Sequence, residues 1–524
     1  MAVYIRLIVS IIIFASPIYA LDPNRSITQY VSQGWKKEHG LPSSSILSII
    51  QSKEGYLWLG TYEGLVRFDG VKFTVFNRLN TKEIKNNGVW TVLEDRNRKL
   101  WVGTNGGGLT TFQEDRKEHF STKDGLASDI VTSLYQDSQG TIWIGTREGL
   151  NYFYSDKLYS LLPLDKSKIG RVYAICEDLS GDILVGTEKG LYKIDRKRLK
   201  LWKTSITEGV QSLVCSSSGV IWIGTLKGLL RQELDGEVTE FTTKQGLTNN
   251  NVSKIYEDKD QNIWLGTDGG GICRLRDGKI DSLTEEQGLP NNTIGGFCED
   301  REGNLWIGLY RGGLYKLKNG KFLVYATNEG LNDKTAFDIY VEGDRVWVTT
   351  GNGINLFQNN RLIDSYKLPE NSGRIVHRIV RDKEGIFWVA TNDQGIFYFD
   401  PEKRTFTLFT RHLLPNKKVR VLYQDHEGAL WIGTSKGLSY LTPSEFKTYT
   451  LEDGLGSEAI LSVFEDSKNN IWVGTNGGGI SCLKDGKFQT FTVKDGLSSN
   501  VIFFIYEDSE KILWFGTNNG LIRY

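Results

Sequence analysis

At 524 residues the chain is long enough for two or more domains with cores of their own. Its 63 Lys and Arg balance 63 Asp and Glu, which removes any electrostatic case for nucleic acid or an anionic membrane as the main partner. Fifty-eight Gly and 14 Trp against one Met point to many short strands and tight turns rather than helices.

The first element is a targeting segment. Arg6 gives a positive start, Leu7 to Phe14 is a short apolar run, and SPIYA ends at Ala20. This pattern predicts a secretory signal peptide over 1–20, cut near Ala20, and a mature chain in the periplasm. The apolar run is short for a membrane span, and no later segment is longer.

After SITQYVSQGW (26–35), which belongs to no repeat, one unit recurs to the end of the chain. LWLGTYEGL (57–65), LWVGTNGGGL (100–109) and IWIGTREGL (142–150) are its first copies. Twelve copies align on positions 58, 101, 143, 184, 222, 264, 306, 347, 388, 431, 472 and 514, spaced 38 to 43 residues apart. Eleven of these positions are Trp, and Leu184 is the exception. The first copy parses into strands at 45–51, 56–61, 64–69 and 72–77, with a hairpin turn at Asp69-Gly70. Four short antiparallel strands at this period predict an all-β fold, a β-propeller of twelve four-stranded blades, numbered 1 to 12 here.

The repeated residues have structural roles. One Trp per blade buries on the order of 200 Å², worth roughly 5 kcal/mol. The Gly two positions on allows close packing, and the following Thr satisfies a turn. The triple glycines at 106–108, 269–271 and 477–479 are turns, since no Lys-Ser or Lys-Thr pair or helix follows them. The acidic pairs Glu94-Asp95, Glu257-Asp258, Glu299-Asp300, Glu465-Asp466 and Glu507-Asp508 recur at equivalent positions, which makes them turn residues rather than an acid–base pair.

Blades 7, 8 and 9 depart from the pattern after the second strand. Tyr310 and Arg311, then Asn352, then Asn392, Asp393 and Gln394 form a deviant polar set, expected to bind a small polar molecule such as an oligosaccharide. Drift in a tolerant turn is the alternative. Cys176, Cys215, Cys273, Cys298 and Cys482 are widely spaced and are expected as small buried hydrophobes. A bridge between neighbouring blades, such as Cys176 to Cys215, is the other reading. His39, His119, His377, His412 and His426 show no metal-ligand spacing, and no nucleophile elbow is present. No catalytic residue, metal or cofactor is expected.

The last copy stops at GLIRY (520–524), after its third strand. The unassigned stretch 26–35 is therefore expected to complete a late blade and close a ring. Twelve blades exceed the usual four to eight, so two packed propellers are expected. The assignment is a first over 21–325, of about seven blades, and a second over 326–524, of about five and incomplete. Six plus six stays open.

Residues 30–77, YVSQGWKKEHGLPSSSILSIIQSKEGYLWLGTYEGLVRFDGVKFTVFN, resemble the opening of bacterial two-component regulator propeller sensors. The W-hydrophobic-G-T segments and connectors such as Asp453-Gly454-Leu455 and Asp495-Gly496-Leu497 match that repeat family along nearly the whole mature chain. The resemblance implies a periplasmic sensor domain feeding a histidine kinase, hybrid kinase or diguanylate cyclase. Members typically carry two seven-bladed rings, a small β-sandwich, a membrane helix and an output domain, which this sequence does not contain. The expected function is thus a ligand-sensing propeller without its own output domain. Its expected partners are a small molecule, a membrane-bound signalling protein and a second copy of the chain. A stand-alone binding or scaffold propeller, and less so a propeller lyase or glycosidase, are the alternatives.

Overall fold

The computed structural model describes residues 21–114, 116–161, 169–195, 200–359, 361–369 and 375–524. The signal peptide expected over 1–20 lies outside them. The described residues form twelve antiparallel sheets, eleven of four strands and a last one of three. The chain divides into two units, one through Leu323 and one from Val324.

Every sheet but that of blade 7 grows outward in chain order. In blade 1, Ile46–Gln51 pairs with Leu57–Thr61, which pairs with Gly64–Phe68, which pairs with Phe73–Phe76. The tight turn between the second and third strands is held by the repeat threonine. Thr61 Oγ1 donates to Gly64 O at 2.8 Å, and Thr146 Oγ1 donates to Gly149 O at 2.8 Å. The triple glycines are turns of the same kind. Gly108 has φ +73°, and a Cβ there would lie 2.2 Å from Phe120 O. Blades are joined by a one-turn 3-10 segment such as Thr122–Asp124, closed by Gly125 at φ +104°.

Neighbouring blades are glued by the Trp column. Trp143 of blade 3 is buried against Val172, Ile175, Ile183, Val185 and Ile194 of blade 4. In eight of the eleven repeat Trp the indole N–H has a fixed acceptor six residues earlier. Asp95 Oδ2 takes Trp101 Nε1 at 2.9 Å, Asp258 takes Trp264 at 2.7 Å and Asp466 takes Trp472 at 2.8 Å. The other oxygen of each carboxylate caps its own turn, as Asp95 Oδ1 accepts from the Asn97 and Lys99 amides. The recurrent acid is therefore a turn residue that also anchors the core indole.

The first unit closes on itself. Ile46, Ile49, Leu59 and Phe68 of blade 1 share a core with Cys298, Trp306 and Leu314 of blade 7. The turns after the innermost strands lace blade to blade. Lys53 N donates to Glu94, Arg96 N to Gln136, Ser138 N to Glu177 and Lys259 N to Glu299, and Arg301 N of blade 7 returns to Gln51 of blade 1 at 2.9 Å. Blade 7 takes its outer strand from the N-terminal region. Val31–Trp35 pairs antiparallel with Gly313–Lys318, Val31 opposite Lys318 and Trp35 opposite Leu314. Trp35 stacks on Trp306 with ring centres 5.1 Å apart. Upstream, buried Arg274 of blade 6 donates to Arg25 O at 2.6 Å and to Asp281 at 2.8 Å, and also bonds the Tyr30 hydroxyl.

The second unit is five sheets in sequence, ending with Ile502–Glu507, Leu513–Thr517 and Gly520–Arg523. Its first blade exposes Ile339 and Val341, and its last exposes Phe503, Phe504 and Tyr506.

The cysteines correct one expectation. Cys176 and Cys215 are bonded to each other, joining blades 4 and 5, while Cys273, Cys298 and Cys482 are free and buried. The bridge lies at the interface where Leu184 replaces Trp, in a core of Cys176, Leu184, Leu191, Val210, Leu213 and Ile223.

Candidate functional site: the axial channel

The innermost strand of every blade carries a β-bulge. In the first unit the register shifts between Ile46 and Ser48, Val89 and Thr91, Val131 and Ser133, and so on to Ile294 and Gly296. A bulge leaves one residue outside the ladder and re-aims its side chain. The extra residues are Leu47, Trp90, Thr132, Tyr173, Gln211, Ser253 and Gly295. Each stands eleven positions ahead of its repeat Trp or, in blade 4, Leu184. While the flanking positions repeat, this one changes in every blade.

Several of these residues line a cavity of about 250 Å³ on the ring axis. Leu47, Trp90, Thr132, Tyr173 and Gly295 contribute to its wall, with Ser48, Thr91, Ser133, Lys254 and Tyr256. The Arg171 guanidinium lies 5.7 Å from the Trp90 ring centre and 5.8 Å from that of Tyr173. It thereby ties blade 4 to blade 2 past blade 3, a cation–π contact. Thr132 Oγ1 is engaged with Gly145 O at 3.1 Å and with Val172 O. Ser133 Oγ is buried without a protein partner. Burial pulls the Lys254 ammonium below the ordinary lysine range. Burial likewise pushes the Tyr256 phenol up, and its oxygen accepts from the Glu299 amide at 3.2 Å. The channel can thus offer aromatic faces, hydroxyls and one amine. Among the described residues no three His, Cys, Asp or Glu side chains converge as metal ligands.

The sequence-derived site residues fall in both units. In the first, Tyr310 and Arg311 form the turn of blade 7, where Arg311 N donates to Ser45 Oγ at 3.0 Å. The Arg311 guanidinium lies over the Tyr310 ring, which meets Tyr62 of blade 1 edge-on at 6.3 Å. Asn352, Asn392, Asp393 and Gln394 lie in the second unit. Asn352 is a turn residue whose Nδ2 donates to Asn332 O and whose backbone carbonyl accepts from Asn332 Nδ2. Gln394 N caps Thr391 at 3.1 Å, and Asp393 is exposed. Asn392 Oδ1 meets Nε2 of His377, the bulge residue of blade 9, at 3.2 Å. Burial, with Arg420, Lys418 and Arg378 nearby, holds His377 below the ordinary histidine range against the opposing Asn392 bond. Sequence reasoning passed over Trp90, Arg171, Tyr173 and Lys254. The signal that finds Trp90 and Tyr173 is the variable column inside an otherwise constant repeat, and Lys254 stands one position further on.

The sequence model of the two component regulator propeller matches residues 40–63, 83–106, 125–148, 246–269, 288–311, 413–436, 454–477 and 496–519. No curated protein matches the chain. Among solved structures the chain is similar to the extracellular domain of BT3049, described as a hybrid two component system, from B. thetaiotaomicron. The identity is 25%, covering 94% of this chain and 71% of that one, with a TM-score of 0.76. The corresponding domain of BT4673 from the same organism is 21% identical over 94% of this chain and 71% of its own, with a TM-score of 0.45. A streptogramin B lyase is 14% identical over 56% of this chain and 100% of its own, with a TM-score of 0.45. No helix among the described residues is long and apolar enough to cross a membrane.

Proposed function

This chain belongs to the two-component regulator propeller family, and from that premise we propose that it is the extracytoplasmic ligand-sensing module of a two-component or related system. The axial channel of the first ring is its input site. The observation that carries the reading is the variable bulge column around a polar cavity, on a scaffold similar to the extracellular domain of a hybrid two-component system. Export through residues 1–20 to the periplasm fits the Cys176–Cys215 bond, which persists in an oxidising compartment. Signal passes to a membrane-bound partner. Tyr310 and Arg311 in the first unit, and separately Asn352, Asn392, Asp393 and Gln394 in the second, are further candidate ligand contacts, each within its own unit.

The test is a thermal-shift screen of small molecules and oligosaccharides against the mature chain. A ligand should raise the melting temperature, and Trp90→Ala or Tyr173→Ala should abolish the shift. Arg311→Ala should weaken it if the turn of blade 7 takes part. Chemical conversion of a stabilising ligand would make the protein an enzyme and overturn the reading.

A further inference from the structure

The geometry points to a small organic anion as the ligand of the first ring's channel, with Lys254 as its counter-charge. This rests on the channel being the input site and adds the chemistry of what enters it. The position directly after the bulge is Ser48, Thr91, Ser133, Ala174, Ser212 and Gly296 in six blades of the ring. All six are small. In blade 6 the same position is Lys254. In blade 6 a long cationic side chain thus lines the cavity where the other blades carry a small residue.

Among the described residues Lys254 makes no hydrogen bond or ion pair, and no charged group offsets its burial. Among the described residues the cavity wall holds no carboxylate, and Lys254 is its one charged side chain. An ammonium without a counter-ion in a narrow channel attracts anions strongly, because little water screens it. Trp90 and Tyr173 line the same cavity and offer aromatic faces to a carbon skeleton. At about 250 Å³ the space suits a molecule the size of one sugar acid rather than a polymer.

Glucuronate and neutral glucose serve as matched probes in calorimetric titrations of the mature chain at pH 7 and low salt. Glucuronate should bind at least tenfold more tightly than glucose. Lys254→Met should remove that preference, and Lys254→Arg should keep it. In the unmodified protein, glucuronate should also protect Lys254 from reductive methylation, a readout that needs no variant to fold. Equal binding to Lys254→Met, or no protection of Lys254, overturns the proposal. Glucose binding as tightly as glucuronate, still lost in Trp90→Ala, overturns the anion assignment while leaving the channel as the sensing site. Absence of binding by either probe, with methylation of Lys254 unaffected, also overturns the anion assignment.

Discussion

The aspartate six residues ahead of eight core Trp residues does two jobs with one carboxylate, and two blades that depart from this pairing separate the jobs. In blade 8 the turn is shortened to Gly343-Asp344 between Ala336–Glu342 and Arg345–Thr350, and Val341 stands where the aspartate would be. Trp347 Nε1 is accordingly buried without an acceptor. In blade 4, where the indole itself is missing, Asp178 takes the Lys193 ammonium at 2.9 Å instead. Replacing Asp258 with Ala should strand the Trp264 indole and cost roughly 1.5–3 kcal/mol, read as a lower denaturant midpoint. Acid should have a related effect. Burial would raise the Asp466 carboxyl, but the Trp472 indole and the Asn470 amides outweigh it and hold it below the usual aspartate range. A carboxyl lowered in the folded state contributes stability above its unfolded value of about 3.9, and that stability disappears as pH falls through the lower folded value. Unfolding of the wild type between pH 7 and pH 3 should therefore show a steeper loss than that of Asp466→Asn.

At the scale of the blade, the interface between blades 4 and 5 exchanges one kind of glue for another. Leu184 fills less volume than the Trp found elsewhere, and the Cys176–Cys215 bond crosses the same core. The bond closes a loop with a sequence separation of 39, for which chain entropy gives about 4 kcal/mol. The Cys176→Ala, Cys215→Ala double variant should melt well below the wild type, and adding reductant should lower only the wild type. The blade count and the all-β class were legible because a large aromatic at constant spacing followed by Gly and Thr admits few other structures. The bond was not, because five cysteines at wide spacings allow many pairings. The bulges were invisible for another reason. A bulge leaves no signature residue, only a column without one. Tyr310, Arg311 and the Asn-rich turns stood out because they break a constant motif, whereas Trp90 and Tyr173 occupy a column with no constant motif to break.

At the scale of the molecule, the first ring depends on a strand from outside its own repeats. Trp35, partly buried, packs Val31–Trp35 against blades 1 and 7 through Phe68 and Trp306. Trp35→Ala should cost roughly 3–5 kcal/mol and make the segment ahead of blade 1 the first site of limited proteolysis, detected by mass spectrometry. Arg274→Met should act in the same direction by releasing Tyr30 and the Arg25 carbonyl. The pairing of Val31 with Lys318 also sets an order of events in time. The partners are 287 residues apart (318 − 31), so the seventh sheet waits for almost the whole ring to be made before it gains its fourth strand. Until then one early strand has no mate and the edge of Gly313–Lys318 lies open, a non-local closure that is slow and prone to mispairing. The step that completes the ring should be its slowest, and the nascent chain should need its folding helpers most just before that step.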